Sequence, residues 1–148
     1  MKFEETVSHL LSRVATAHKA HLEKRLAGVG LHGGQLSVLF ELWRRDGRRQ
    51  VDLAREIGLA TPTVNKILNG MIEVGLVDRT RLEDDARATR IYLTDEGHAI
   101  RGRVEEVWLE VEEELLSEFT ETERYILFDL LTKVRNYYFG IDPDQAGD

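Results

Sequence analysis

The sequence predicts a mainly α-helical fold with one short β-hairpin set between its fourth and fifth helices. Three observations predict it. Apolar residues recur at spacings of three and four through most of the chain. The segments they define open on threonine or close on glycine, which are helix start and stop signals. Only between Leu76 and Leu93 does the pattern change, to short runs with β-branched and aromatic residues around a charged turn. A length of 148 residues suits one domain, and 42% hydrophobic with 32% charged residues is ordinary globular composition.

The elements follow in order. Residues 3–28 form a helix with Val7, Leu10, Leu11, Val14, Leu22 and Leu26 on its apolar side, stopped by Gly28 and Gly30. Residues 35–45 form a second, with Leu36, Leu39, Phe40 and Trp43 on one stripe. Asp46-Gly47 is a turn. Val51 to Ile57 is a short third helix ended by Gly58. Thr61 to Val74 is a fourth, with Thr61 as its cap and Pro62 at the first helical position, where a missing N–H costs nothing. Leu76–Leu82 and Thr89–Leu93 pair as the hairpin, with residues 83–88 at its tip. Thr94 caps a long helix with the seam Ile100, Val104, Val107, Trp108, Val111, Leu115 and Phe119. Thr120 and Glu123 form a capping box for the last helix, whose apolar positions include Tyr125, Phe128, Leu131, Val134 and Tyr138. Residues 141–148 read as a polar tail.

The first helix and the last two carry more apolar surface than the small central unit can cover. A second copy of the chain would cover it, so residues 1–30 and 95–140 are expected to pair across a two-fold axis. The net charge of −7 is unevenly spread. Residues 94–148 hold 15 acidic and 5 basic groups, whereas residues 31–93 hold 9 and 10. The middle clusters Arg44, Arg45, Arg48 and Arg49, then Arg79, Arg81, Arg87 and Arg90. Local positive potential, not net charge, decides whether phosphate is attracted.

Residues 50–68 are the most informative. Leu53, Ala54, Ile57, Leu59, Val64, Ile67 and Leu68 are spaced to hold two helices at a steep angle. Ala54 is small at their crossing, Gly58 suits a left-handed turn, and Val64 packs back. Together they give a helix-turn-helix. On the fourth helix Val64, Ile67, Leu68 and Met71 form the core face. The opposite face shows Thr61, Thr63, Asn65, Lys66 and Asn69, short hydrogen-bonding groups plus one cation, suited to base edges and phosphates. A face that were merely solvated could use Glu or Lys, which are better helix formers. The hairpin adds Arg87 near its tip, Asp85 to orient it, and Arg90 on the return strand. An arginine on a protruding ribbon can reach a narrow minor groove. Arg79, on the outgoing strand, is a candidate phosphate contact.

The stretch from Leu31 to Gly97 resembles the MarR (multiple antibiotic resistance regulator) family of winged helix-turn-helix regulators. The resemblance rests on Gln50-x-x-Leu53-Ala54, Ile57-Gly58-Leu59, Thr63-Val64, Gly75-Leu76-Val77, Asp85-x-Arg87-x-x-Arg90 and Leu93-Thr94-x-Glu96-Gly97. It implies a winged helix-turn-helix lobe over residues 31–94 with N- and C-terminal dimerisation helices, all one domain over residues 1–148. It also implies a homodimer on a pseudo-palindromic double-stranded DNA operator, repressing transcription until a small anionic, often phenolic or aromatic, effector releases it. By that resemblance Thr63, Asn65 and Lys66 are recognition-helix contacts and Arg87 is the minor-groove contact, supported by Asp85. Three positions depart from the family pattern. Arg49 replaces a Thr or Ser cap, Pro62 replaces a serine, and His32-Gly33-Gly34 replaces a threonine–proline start to the second helix.

His18 and His21 are three apart on the first helix and share a face bordering its apolar stripe, so with Trp43 they are candidates for holding an effector. The other reading of the histidines is a partly exposed pair at a dimer boundary. A metal site is not expected, since there is no cysteine and no well-spaced ligand set, and no cofactor is expected. There is no Gly-rich phosphate loop, nucleophile elbow or metal-binding pair with Glu between, so an enzyme is not expected. The alternative function is a winged-helix protein-interaction module of the chromosome or transcription machinery, which would need no polar recognition face. With no signal-peptide core and no stretch of about 18 apolar residues, the chain is expected to be soluble, unprocessed and cytoplasmic, with no membrane partner.

Overall fold

The computed structural model describes residues 1–81 and 89–141. A single 3₁₀ turn, Phe3–Glu5, precedes α1 (Val7–Ala27), and Thr6 Oγ1 caps the helix by accepting from His9 N. There follow α2 (Gln35–Arg44), β1 (Arg48–Arg49), α3 (Gln50–Ile57), α4 (Thr61–Glu73), β2 (Val77–Thr80), β3 (Arg90–Leu93), α5 (Asp95–Leu115) and α6 (Glu121–Phe139). The first helix thus starts four residues later than expected. The chain packs as two compact units, Met1–Trp108 and Leu109–Asp148.

In the first unit the core is aliphatic. Leu22 and Leu26 of α1, Val38, Leu39 and Leu42 of α2, Leu53 and Ala54 of α3, and Val64, Leu68 and Met71 of α4 are buried with Leu76, Val77, Ile91, Leu93, Ile100 and Val104. The expected stripe on α2 is corrected by this list. Val38, Leu39 and Leu42 face the core, while Phe40 is exposed and Trp43 half-buried. Apolar residues surround most of that helix, so periodicity could not choose the face.

The sheet has one more strand than expected. Its order is β1-β3-β2, all antiparallel, with Arg48 opposite Ile91, Arg49 opposite Arg90 and Arg79 opposite Ile91. Asp46 fixes the turn before β1. Its Oδ1 accepts from Gly47 N and Leu93 N, both at 2.9 Å. Helix α5 starts as predicted, with Gly97 N donating to Thr94 Oγ1 at 3.0 Å. Gly97 is also a close-packing position, since a Cβ there would collide with the Leu76 carbonyl oxygen.

In the second unit Val111 and Leu116 are buried. Leu115 and Phe119, placed in the seam by sequence, are exposed. The Thr120–Glu123 capping box forms in both directions, and the hydrogen bonds from Thr120 hold the Glu123 carboxyl below its ordinary pKa. No residue of α6 is buried, although Tyr125, Ile126, Phe128, Leu130, Leu131 and Tyr138 lie on it. Among the described residues, no helix is long and apolar enough to cross a membrane.

Candidate nucleic-acid interface

The turn between α3 and α4 is built as the sequence requires. Gly58 ends α3 at φ 74, in the left-handed region that favours glycine, and its N–H returns to Ala54 O at 3.0 Å. Ala54, Val64, Leu68 and Met71 are buried at the crossing, while Leu59 is exposed. Thr61 is not the cap of α4. Ala60 holds that position in extended conformation, and Thr61 is the first helical residue. The first turn of a helix needs no backbone donors, so a proline one residue further in costs no hydrogen bond.

With the core face of α4 fixed, Thr61, Thr63, Lys66 and Asn69 stand exposed on the other side and Asn65 is half-buried. Both asparagines are oriented by neighbours. Gln50 Nε2, from the first residue of α3, donates to Asn65 Oδ1. Arg79 Nη1, from β2, donates to Asn69 Oδ1 at 3.0 Å. Arginine has no acceptor, so this bond fixes the Asn69 oxygen inward and leaves its NH₂ free to donate outward. Arg79 is itself half-buried. Burial, with the neighbouring Arg81, pulls its guanidinium below the ordinary arginine pKa, and Nε has no partner among the described residues. Arg79 therefore serves the face of α4 through Asn69. Gln50 was visible in the sequence only as a motif residue, because its partner lies fifteen positions away.

Arg90 is exposed on β3 and donates to Gly47 O at 2.7 Å. It shares a surface cleft with Arg45, Gly47, Arg48, Arg49 and Asp52. Arg49 stands where a capping hydroxyl was expected. It makes no cap to the backbone, and instead its Nε and Nη2 donate to the two Asp52 oxygens at 2.8 and 3.2 Å. That hydrogen bonding raises the Arg49 pKa and lowers that of Asp52. Asp85 and Arg87 lie outside the described residues.

The start of α2 explains His32-Gly33-Gly34. Gly34 occupies the cap position, and His32 N donates to Gln35 Oε1 at 3.1 Å. A Cβ on Gly34 would stand 2.6 Å from Ile67 Cδ1, the movable end of a side chain on α4.

The candidate effector residues fall on a second surface. His18 is half-buried, edge-on to Trp108 at 6.1 Å, and Phe40 lies 5.5 Å from Trp108 and 5.8 Å from Trp43. Trp43 Nε1 donates to Gly97 O at 3.0 Å, and the Arg101 guanidinium sits 5.8 Å from its ring centroid. His21 is exposed. Among the described residues, no three His, Asp or Glu side chains could hold a metal ion together.

Three core helices, a steep α3–α4 turn and a small antiparallel sheet define a winged helix-turn-helix. A MarR family model matches residues 29–88. The chain is 30% identical over 130 residues to the HTH-type transcriptional regulator PecS of Dickeya dadantii (strain 3937), covering 86% of this chain and 78% of that protein. It is 32% identical over 113 residues to the HTH-type transcriptional regulator YdgJ of Bacillus subtilis (strain 168), covering 74% and 67%. Among solved structures it is similar to the transcriptional repressor CouR bound to a 23-mer DNA duplex, with 27% identity, a TM-score of 0.76, and 91% and 98% of the two chains covered. The chain belongs to the MarR family of transcriptional regulators.

Proposed function

We propose that this protein is a homodimeric repressor that reads a pseudo-palindromic operator and is released from it by a small molecule. The observation that carries the reading is the exposed face of α4. Thr61, Thr63, Asn65, Lys66 and Asn69 form a polar surface with both amides anchored from behind, and the carboxylate of α4, Glu73, stands at the far end of the helix. In the major groove such a face offers hydrogen bonds to base edges, and Lys66 offers charge to a phosphate. Arg87, supported by Asp85, is proposed to enter the flanking minor groove.

The two-fold partner is a second copy. A nineteen-residue helix with no buried residue, yet with this many aromatic and aliphatic side chains, needs a covering surface. Residues 1–30 and 95–140 are proposed to supply it, with residues 31–94 as the DNA-binding lobe. The half-exposed row of His18, Trp108, Phe40 and Trp43, with Arg101 beside it, supports an aromatic anion as effector, stacking on the rings and pairing with the guanidinium. His21, on the same helix as His18, is included in that proposal. The protein acts in the cytoplasm, as a regulator rather than an enzyme.

The test is binding of purified protein to DNA upstream of its own coding region against an unrelated fragment, across a salt series. Selective, steeply salt-dependent binding by two subunits per site is expected. Equal weak binding to both fragments would remove the sequence-reading role of α4. No binding at low salt, by protein freed of bound ligand, would favour a winged helix that contacts only proteins.

A further inference from the structure

We propose that the cleft lined by Arg45, Gly47, Arg48, Arg49, Asp52 and Arg90 is a phosphate site that grips the backbone of the operator beside the groove entered by α4. The proposal rests on the DNA-binding reading and adds a contact from outside the recognition helix and hairpin tip. The cleft encloses about 240 Å³, enough for a phosphodiester group.

The charges around it are unevenly paired. Two of the four arginines are satisfied internally. Arg48 pairs with Glu41 at 2.6 Å and reaches Glu56 at 3.8 Å, and Arg49 pairs with Asp52. The other two have no carboxylate partner among the described residues. Arg45 is exposed at the end of α2, and the Arg90 side chain donates to the Gly47 carbonyl. The register also sets Arg90 directly opposite Arg49 across the β1–β3 pair. Like charges in that relation destabilise a sheet unless something negative lies between them. Asp52 serves Arg49, and a phosphate would serve Arg90 and Arg45.

The position fits the polymer. Arg49 immediately precedes Gln50, whose amide holds Asn65 on the exposed face of α4. The cleft wall therefore runs directly into the residue that orients Asn65 on the exposed face of α4. A phosphate held there would fix orientation and carry no sequence information.

The experiment measures operator affinity from 50 to 200 mM salt for the parent, Arg45→Ala, Arg90→Ala, the double variant and Arg90→Lys. Thermal unfolding checks that each is folded. If both arginines hold one phosphate, the double variant loses about one contact from the salt slope, and the fourfold salt rise weakens it about threefold less than the parent. Its preference for operator over unrelated DNA stays unchanged, and Arg90→Lys keeps the parent's slope. A folded double variant with the parent's slope overturns the proposal and leaves the DNA-binding reading standing. If the parent binds no DNA, that reading fails and the assignment to a DNA phosphate fails with it. Inorganic phosphate that raises the unfolding temperature of the parent but not of the double variant would in that case make the cleft a free-anion site instead.

Discussion

Two glycines on α5 give opposite expectations for the same substitution. Gly102 lies mid-helix, with nothing within 4 Å of where a Cβ would be. Gly102→Ala should follow intrinsic propensity and stabilise the fold by about 0.8–1 kcal/mol. Gly97 lies in the first turn and would gain at most as much from propensity. Its Cβ, however, would collide with the Leu76 backbone oxygen and stand 3.1 Å from Leu93 Cδ2. A backbone oxygen cannot swing away, so α5 must shift, and overpacking of this kind costs about 1–3 kcal/mol. The shift also pulls on the bond from Trp43 Nε1 to Gly97 O, worth about 1 kcal/mol. Gly97→Ala should thus be destabilised by about 1–3 kcal/mol, and the two variants should differ by about 2–4 kcal/mol, from the sums of these terms. Urea unfolding at one fixed protomer concentration measures this, because association would otherwise move the midpoint. A Gly97→Ala protein as stable as Gly102→Ala would refute the close packing of α5 on the segment before β2.

The remaining predictions concern the site, the partner surface and pH. Replacing Lys66 with Ala should lower the salt slope of operator binding by about one phosphate contact. Arg79→Met should release the Asn69 amide and relax the operator's base preference at one position, costing about 1–3 kcal/mol of discrimination, read by binding to a panel of single-base operator variants. Leu115→Glu, at a residue exposed in the single chain, should impair dimerisation and through it operator affinity. A stable, fully dimeric variant by sedimentation would show that Leu115 lies outside the partner surface. Thr120→Ala should cost about 1 kcal/mol through loss of the cap on α6. Glu123 has a lowered pKa when folded, so its contribution is present above the ordinary carboxylate pKa and fades as pH falls through the folded value. Glu123→Gln should remove that acid-side fading, seen as a flatter dependence of unfolding temperature on pH.

What was legible in the sequence was what neighbouring residues decide together. Gly58, Ala54 and Val64 act within one turn of chain, so their spacing alone located the helix-turn-helix, and the capping roles of Thr94 and Thr120 followed from residues three positions on. What was not legible depends on distant partners. Arg48 and Arg49 have no strand-forming character of their own. They form β1 because β3 offers them a ladder and because Asp46 ties the preceding turn to Leu93 N. That pairing turns a sequence cluster of arginines into one wall of a cleft, with Arg90 as the other. The same holds for the recognition face. Thr61, Thr63, Asn65, Lys66 and Asn69 could be placed on one side of α4 from periodicity, but which end of each asparagine amide points outward could not. Gln50 and Arg79 set that, one from the preceding helix and one from β2. An amide whose oxygen is held inward offers donors to the groove, and the acceptors it meets there belong to guanine O6 and N7, adenine N7 or thymine O4. The polarity of readout at Asn69 is therefore a property of β2 as much as of α4, and an altered arginine on that strand should change which base is preferred without touching the helix.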